Sequence, residues 1–284
     1  MTLEPPPETI WRPVLKRALD EDLGDAGDIT TDAIVPDGAV ATGRVVAREA
    51  GVVAGLGIAT ATFGLLDDLV VVDARVSDGA RVAASTTLAV VSGPARAILT
   101  GERVALNLLG RMCGIATRTA EVVEAVAGTH AVIAATRKTT PGLRALEKYA
   151  VRCGGGTTHR FGLYDAVLIK DNHLVVAGSV AAAVKGARAA VGHLTTVEVE
   201  VTDLDQLDEA IAAGADVVLL DNMSLDAMRA AVERTAGRAV LEASGSITPS
   251  NVAEVAATGV DVISLGWLTH SAPALDVALD FEAK

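Results

Sequence analysis

Beyond residue 130 the chain repeats one pattern: a short apolar run, then an Ala-rich amphipathic stretch. The runs lie at 131–135, 166–169, 197–201, 217–220, 240–243 and 260–265, and stretches such as 204–213 and 225–235 between them have helical spacing. Buried runs alternating with helices predict a parallel sheet. Six such units in succession predict an α/β barrel or an incomplete one. A doubly wound open sheet is the alternative. It finds little support, because Gly55-Leu56-Gly57 is followed by Thr60 where GxGxxG needs glycine, and no P-loop occurs. The first part reads differently. A Pro-rich lead runs into a helix ending near residue 23, with Val14, Leu15, Ala18 and Leu19 on one face. Residues 40–100 look strand-like, with β-branched runs at 43–47, 69–72 and 88–91 between Gly and Asp turns. A long helix is expected over 101–126, carrying Arg103, Asn107, Arg111 and Arg118 among apolar positions.

Composition adds boundaries. Half of the 284 residues are hydrophobic and 21% are charged, which excludes a disordered chain. With 3 Phe, 2 Tyr and 2 Trp, the core must be built from Ala, Val, Leu and Ile. A net charge of −12 argues against non-specific nucleic-acid binding, which needs cationic patches. Two cysteines cannot make a disulfide framework and point to a reducing compartment. The N-terminus lacks the basic-then-apolar pattern of a signal peptide, and no apolar run reaches the ~18 residues of a membrane span. A soluble cytoplasmic protein is expected.

The candidate chemistry collects where the runs end. Thr136, Arg137 and Lys138 follow the first and Lys170, Asp171, Asn172 and His173 the second. The third contains Glu198 and Glu200, and the fourth ends in Asp221 and Asn222. The fifth leads through Glu242 into Ser244-Gly245-Ser246, and the sixth ends at Leu265-Gly266-Trp267. In a parallel barrel all strand C-termini face one mouth, where such enzymes hold their active sites. Residues 136–173 hold seven Arg or Lys against three Asp or Glu in an otherwise acidic chain. Such a region suits a small, highly charged anion. For Arg144, Glu147 and Lys148 a solvated helix face is an equal alternative. Ser244–Ser246 and Gly266 resemble phosphate cradles, with Pro249 suited to the first turn of a following helix. Cys153, His159 and His173 lack zinc-ligand spacing, and no GxSxG elbow supports a hydrolase. Two further readings stay open. Lys170 could serve as the Schiff-base amine of a class I aldolase. The segment 76–91 looks like a biotinyl or lipoyl carrier, although no lysine lies between Lys16 and Lys138 to be modified.

Read in order, the motifs closely resemble the quinolinate phosphoribosyltransferase family. They are Glu21-Asp22-Leu23-Gly24, Gly27-Asp28-Ile29-Thr30-Thr31, Glu102-Arg103 with Asn107-Leu108, and Thr136-Arg137-Lys138-Thr139-Thr140-Pro141-Gly142-Leu143-Arg144. Glu147-Lys148-Tyr149-Ala150-Val151, Cys153-Gly154-Gly155-Gly156, His159-Arg160 and Leu168-Ile169-Lys170-Asp171-Asn172-His173 follow. Glu198-Val199-Glu200-Val201, Leu220-Asp221-Asn222, Ala243-Ser244-Gly245 and Thr269-His270-Ser271 complete the set, which spans nearly the whole chain.

The resemblance implies an N-terminal α/β sandwich and dimerisation domain (1–110, with 270–284 packing on it) joined to an incomplete α/β barrel (111–269). It implies a homodimer in which Arg103 reaches the partner's site. It implies transfer of phosphoribosyl from phosphoribosyl pyrophosphate to quinolinate, with Mg²⁺, giving nicotinate mononucleotide, pyrophosphate and CO₂ for NAD biosynthesis. Arg103, Arg137, Lys138, His159, Arg160 and Lys170 would then hold the carboxylates and the pyrophosphate. Glu200 and Asp221 would hold the ribose hydroxyls and the metal. Ser244, Gly245, Ser246 and Gly266 would cradle the 5′-phosphate, with Thr136, Leu265, Trp267 and His270 lining the substrates. Lys138, Lys170, Glu200 and Asp221 would carry the catalysis. A related transferase acting on nicotinate is the nearest alternative. Ala135, Cys113, Thr158, Ser246 and Trp267 depart from the family pattern around these motifs.

Overall fold

The computed structural model describes residues 3–281. From the N-terminal side the elements are α1 (Glu8–Leu23), α2 (Ile29–Ile34), β1 (Val40–Ala47), β2 (Gly51–Val52), α3 (Leu56–Leu66), β3 (Val71–Ala74), β4 (Arg81–Val82), β5 (Thr87–Pro94) and α4 (Ala95–Ala125). Strands and helices then alternate: β6 (Val132–Ala134), α5 (Arg144–Cys153), β7 (Val167–Ile169), α6 (Asp171–Ala177), α7 (Val180–Ala190), β8 (Val197–Val201), α8 (Leu204–Ala213) and β9 (Val217–Asp221). After them come α9 (Leu225–Thr235), β10 (Val240–Ser244), α10 (Val252–Ala256), β11 (Val262–Ser264), α11 (Trp267–His270) and β12 (Val277–Phe281). No helix among the described residues is long and apolar enough to cross a membrane.

The chain divides into two compact units, Met1–Ala120 with Thr139–Gly155 and Trp267–Lys284, and Glu121–Lys138 with Gly156–Gly266. In the first, an antiparallel sheet of order β12-β1-β5-β3 is covered by helices. Its core is aliphatic, with Leu15, Leu88, Ile98, Leu109 and Ile115 at most 1% exposed, and Phe63 is its one fully buried phenylalanine. The C-terminal strand β12 pairs with β1 from Gly43↔Phe281 to Ala47↔Val277. The chain reaches it by crossing α4 at close range. A Cβ on Gly114 would lie 1.9 Å from the Pro273 carbonyl oxygen, so only glycine admits this crossing.

Two features here differ from the strand-like reading of 40–100. Leu56–Leu66 is a helix, with Leu56, Ile58, Ala59, Thr60, Thr62 and Phe63 all buried. A helix buried on most sides shows no amphipathic period, which hid it in the sequence. The long helix also starts at Ala95 rather than 101, directly after Pro94, with no capping residue to announce it.

In the second unit six parallel strands run in the order β6-β11-β10-β9-β8-β7. This is chain order, with β6 carried round to sit beside β11. A doubly wound sheet reverses its order at a switch point; this one never does. The strands form an incomplete α/β barrel with its open seam between β6 and β7. On the β6 edge of that seam, Thr157 makes a single parallel bridge to Ala134, its N–H donating to the Ile133 carbonyl at 2.8 Å. This pairing fixes where the chain re-enters the barrel just before His159.

Candidate active site

Strand register decides which side chains share the barrel's inner face. Paired residues point the same way, and successive residues along a strand point oppositely. Leu168 pairs with Glu198, Glu200 with Leu219, Leu219 with Glu242, Asp221 with Ser244, Glu242 with Val262, and Ser264 with Ala134. The other face of β8 is Val197, Val199 and Val201, each fully buried on the side of α7 and α8. The inner face therefore has two tiers. The lower one holds Ala134, Leu168, Glu198, Leu219, Glu242 and Ser264. Glu200, Asp221 and Ser244 lie one step nearer the strand C-termini, and Thr136, Lys170 and Gly266 continue the alternation beyond β6, β7 and β11. The upper tier matches six residues read from the sequence as site residues.

The upper tier is partly open to solvent. Lys170 Nζ lies 2.5 Å from Glu200 Oε2, with the lysine side chain 47% exposed and the glutamate 11%. This solvated, ion-paired amine is not the desolvated one a Schiff-base enzyme needs. Glu200 and Asp221, on adjacent strands and the same face, offer hard carboxylate oxygens. Two carboxylates could contribute to a Mg²⁺ site but are too few for a protein-only cage, so an ion held there would need further oxygen ligands.

Cations flank the tier. Thr136 Oγ1 accepts the Lys138 backbone N–H at 3.0 Å and so shapes the turn that carries Arg137 and Lys138. Arg160 follows the Thr157 bridge, and its Nη1 donates to the Ala166 carbonyl at 3.0 Å. Burial, with Arg137 as the next cause, lowers the Arg160 pKa. Two like charges held close are tolerated where an anion binds between them. Arg160 also lines a pocket of about 330 Å³ with Leu163, Tyr164, Leu168, His173 and Val191.

After β10 the chain turns sharply. Gly245 and Ser246 both have positive φ, 89° and 52°. A Cβ on Gly245 would lie 2.5 Å from the Asn222 side chain, which accepts from Ser246 Oγ at 2.9 Å. The loop follows the C-terminal end of β10 and so lies at the barrel mouth. Pro249 does not open the next helix as expected: α10 begins at Val252, because the Asn251 side chain accepts the Thr248 N–H at 2.7 Å and closes a turn first. Leu265 is buried at 1% exposure, with its N–H on the Ala134 carbonyl, so its side chain packs in the core.

The remaining candidates belong to the first unit. Arg103 on α4 is 64% exposed, with Nη2 3.9 Å from Glu102. Trp267 opens α11, and His270 is exposed with Nδ1 2.6 Å from Ser271 Oγ. Glu147 and Lys148 are 1% and 0% exposed, which rules out the solvated helix face for both. Glu147 Oε1 accepts from Arg111 Nε at 3.1 Å and Nη2 at 2.7 Å, and Oε2 from the Thr140 N–H at 3.0 Å.

The lower tier brings together His159, which the resemblance places on the substrates, with Glu198 and Glu242, which the sequence shows only as polar positions of two separate runs. His159 Nε2 lies 3.0 Å from Glu198 Oε2 and 3.6 Å from Glu242 Oε2. All three side chains are at most 13% exposed, and Oε1 of each glutamate is buried without a hydrogen-bond partner. Burial, and then the neighbouring Glu198, push Glu242 up to about 7. The available signal was parity. In Val197-Glu198-Val199-Glu200-Val201 both glutamates share a face, and in 240–244 Glu242 shares one with Ser244.

Comparison with known proteins agrees with this architecture. Residues 28–113 match the profile of the quinolinate phosphoribosyl transferase N-terminal domain, and residues 115–280 that of its C-terminal domain. The chain is 49% identical over 277 residues to nicotinate-nucleotide pyrophosphorylase (carboxylating) of Mycobacterium leprae, covering 95% of this chain and 96% of that one. It is 36% identical to a mitochondrial quinolinate phosphoribosyltransferase (decarboxylating) of Nicotiana tabacum, covering 100% of this chain and 86% of that one. The structure of the nicotinate-nucleotide pyrophosphorylase from Francisella tularensis superimposes with a TM-score of 0.94 at 38% identity, covering 99% of both chains. From both domain profiles and from identity at this coverage, the chain belongs to the quinolinate phosphoribosyl transferase family and is a phosphoribosyltransferase of the nicotinate-nucleotide pyrophosphorylase (carboxylating) type.

Proposed function

We propose that the protein transfers the phosphoribosyl group of phosphoribosyl pyrophosphate to quinolinate, with loss of CO₂, yielding nicotinate mononucleotide and pyrophosphate for NAD biosynthesis. The observation that carries this reading is the upper tier itself. One end of the barrel gathers a carboxylate pair, Glu200 and Asp221, with Lys170 against Glu200 and Arg137, Lys138 and Arg160 on the adjoining loops. A dianionic acid and a polyphosphate donor together require such a set.

Arg137, Arg160 and Lys170 bind the two ring carboxylates, and an arginine gripping a carboxylate through two parallel bonds fixes the ring plane. Lys138 binds the pyrophosphate. Ser244, Gly245, Ser246 and Gly266 supply hydroxyl and N–H donors to the 5′-phosphate. Glu200 and Asp221 accept from the ribose hydroxyls and would hold Mg²⁺, which when bound neutralises pyrophosphate charge. Their negative charge stabilises the cationic sugar that develops as pyrophosphate departs. The ring nitrogen's lone pair forms the bond to the sugar carbon as the carbon–oxygen bond to pyrophosphate breaks. The adjacent carboxylate then leaves as CO₂. Its bonding electron pair remains on the ring carbon beside the pyridinium nitrogen, whose charge stabilises it until a proton arrives.

A homodimer in which Arg103 serves the partner's site belongs to the same reading. It is supported by the exposure of Arg103 and by exposed apolar side chains on the second unit: Leu163, Tyr164, Val175 and Val176, each at least 74% exposed. The test is release of labelled CO₂ dependent on both quinolinate and phosphoribosyl pyrophosphate, with nicotinate as control substrate. Turnover of nicotinate in preference to quinolinate would replace this reading with that of a nicotinate-specific transferase.

A further inference from the structure

We propose that Glu198, backed by Glu242, is a positioning residue that orients His159 and, through it, the Arg160 that binds a substrate carboxylate. The proposal rests on the function proposed above for Arg160.

The Arg160 backbone N–H donates to His159 Nδ1 at 2.8 Å. A ring nitrogen that accepts a hydrogen bond carries no proton, so the neutral ring has its proton on Nε2. That Nε2–H faces Glu198 Oε2 at 3.0 Å, with Glu242 Oε2 at 3.6 Å. The ligand atoms of the three side chains lie within 4.8 Å of one another, a spacing compatible with a metal ion. An Nε2 that bears the proton has no lone pair to coordinate one, so the tautomer argues for a hydrogen-bonded strut. With both ring nitrogens turned to protein groups, His159 links Glu198 to the Arg160 backbone.

Each part of the strut is fixed by a different strand. Glu198 stands on β8, Glu242 on β10, and Thr157 ties the segment before His159 to β6. The carboxylate side chains are 5% exposed, so water does not compete for Nε2–H. Glu198 also faces Arg160 electrostatically. The imidazole therefore transmits the position of β8 to the Arg160 backbone, and the Ala166 carbonyl holds the guanidinium at its far end. Substrate-binding arginines need such support, because a displacement of a fraction of an ångström weakens a bidentate contact.

The experiment uses the full chain with ¹⁵N-labelled histidine, as wild type, Glu198→Ala and Glu198→Gln. In the wild type the His159 ring is expected as the Nε2–H tautomer. Glu198→Ala should redistribute the tautomers and raise KM for quinolinate about 10- to 100-fold, the loss expected for a hydrogen bond to a charged group. KM for phosphoribosyl pyrophosphate should stay within about twofold. Glu198→Gln keeps a side-chain oxygen to accept from Nε2–H and should restore both the tautomer and most of the quinolinate KM. A proton found on Nδ1 in the wild type overturns the proposal and needs no variant. Glu198→Ala that leaves the ring unchanged, or shifts both KM values alike, also overturns it. A wild type that does not turn over quinolinate refutes the proposed function separately, and the ring signals then decide whether Glu198 orients His159.

Discussion

The Glu147→Ala substitution isolates a buried charge contact of the first unit. The Glu147 carboxylate is 1% exposed and accepts three hydrogen bonds, two from Arg111 and one from the Thr140 backbone. Removing it leaves Arg111 without its counter-ion. Breaking a buried pair from one side costs about 3–5 kcal/mol. The low end applies here, because Arg111 is 26% exposed and keeps contacts to Thr140 Oγ1 at 3.2 Å, to the Ala272 carbonyl at 3.4 Å and to the Thr269 carbonyl. The orphaned Thr140 N–H adds about 1 kcal/mol. The total of about 4 kcal/mol should lower the unfolding midpoint by about 10 °C in a protein of this size. Scanning calorimetry or circular dichroism on heating measures it. Glu147→Gln, which keeps the shape and one acceptor oxygen, should fall between the variant and the wild type. The paired replacement Arg111→Met with Glu147→Leu should recover much of the loss, because no charge is left stranded. A Glu147→Ala midpoint within about 1 °C of wild type would refute the reasoning, showing a pair worth no more than an exposed one.

Three further outcomes follow from the site. Lys138→Ala and Arg160→Ala should reduce kcat/KM by about 30- to 4000-fold without unfolding the chain, with exposed Lys138 towards the low end; near-normal turnover in both would make the cluster a solvated surface. Glu242 is held at about 7 against an ordinary 4.5, so between those values the native state keeps a proton that the unfolded chain has lost. Stability should therefore fall by about 3 kcal/mol as pH rises from 4.5 to 7; denaturant titrations should show Glu242→Gln lacking this decline, and parallel curves for the two proteins would refute the assignment. Arg103→Ala and Lys170→Ala homodimers, each inactive, should regain roughly a quarter of wild-type activity when dissociated and reassociated together, since half the dimers become hybrids with one intact site each; no recovery despite mass-verified exchange would confine Arg103 to its own subunit.

The alternation of apolar runs with Ala-rich helices was enough to read the parallel strands of the second unit. The buried run 197–201 coincides with β8, and the others differ from their strands by one or two residues at the ends. The polar positions of the upper tier were equally legible, since Lys170, Asp221 and Ser244 follow apolar runs and Glu200 lies within one. The helix Leu56–Leu66 was not, because burial on most sides erases the period by which a helix is recognised. Nor was the fate of Glu147 and Lys148. A charged residue on an amphipathic helix reads as solvated until a partner such as Arg111, 36 residues away along the chain, is brought beside it. The same holds for Glu198 and Glu242. Strand parity puts each on a definite face, but only the pairing of β8 through β9 to β10 makes that face common to both. His159 joins them because Thr157 bridges to β6 at the edge of the open seam. Local sequence determines periodicity and chain breaks. Which charges are buried together is settled by register and long-range pairing, so the tertiary structure alone decided the lower tier of the site.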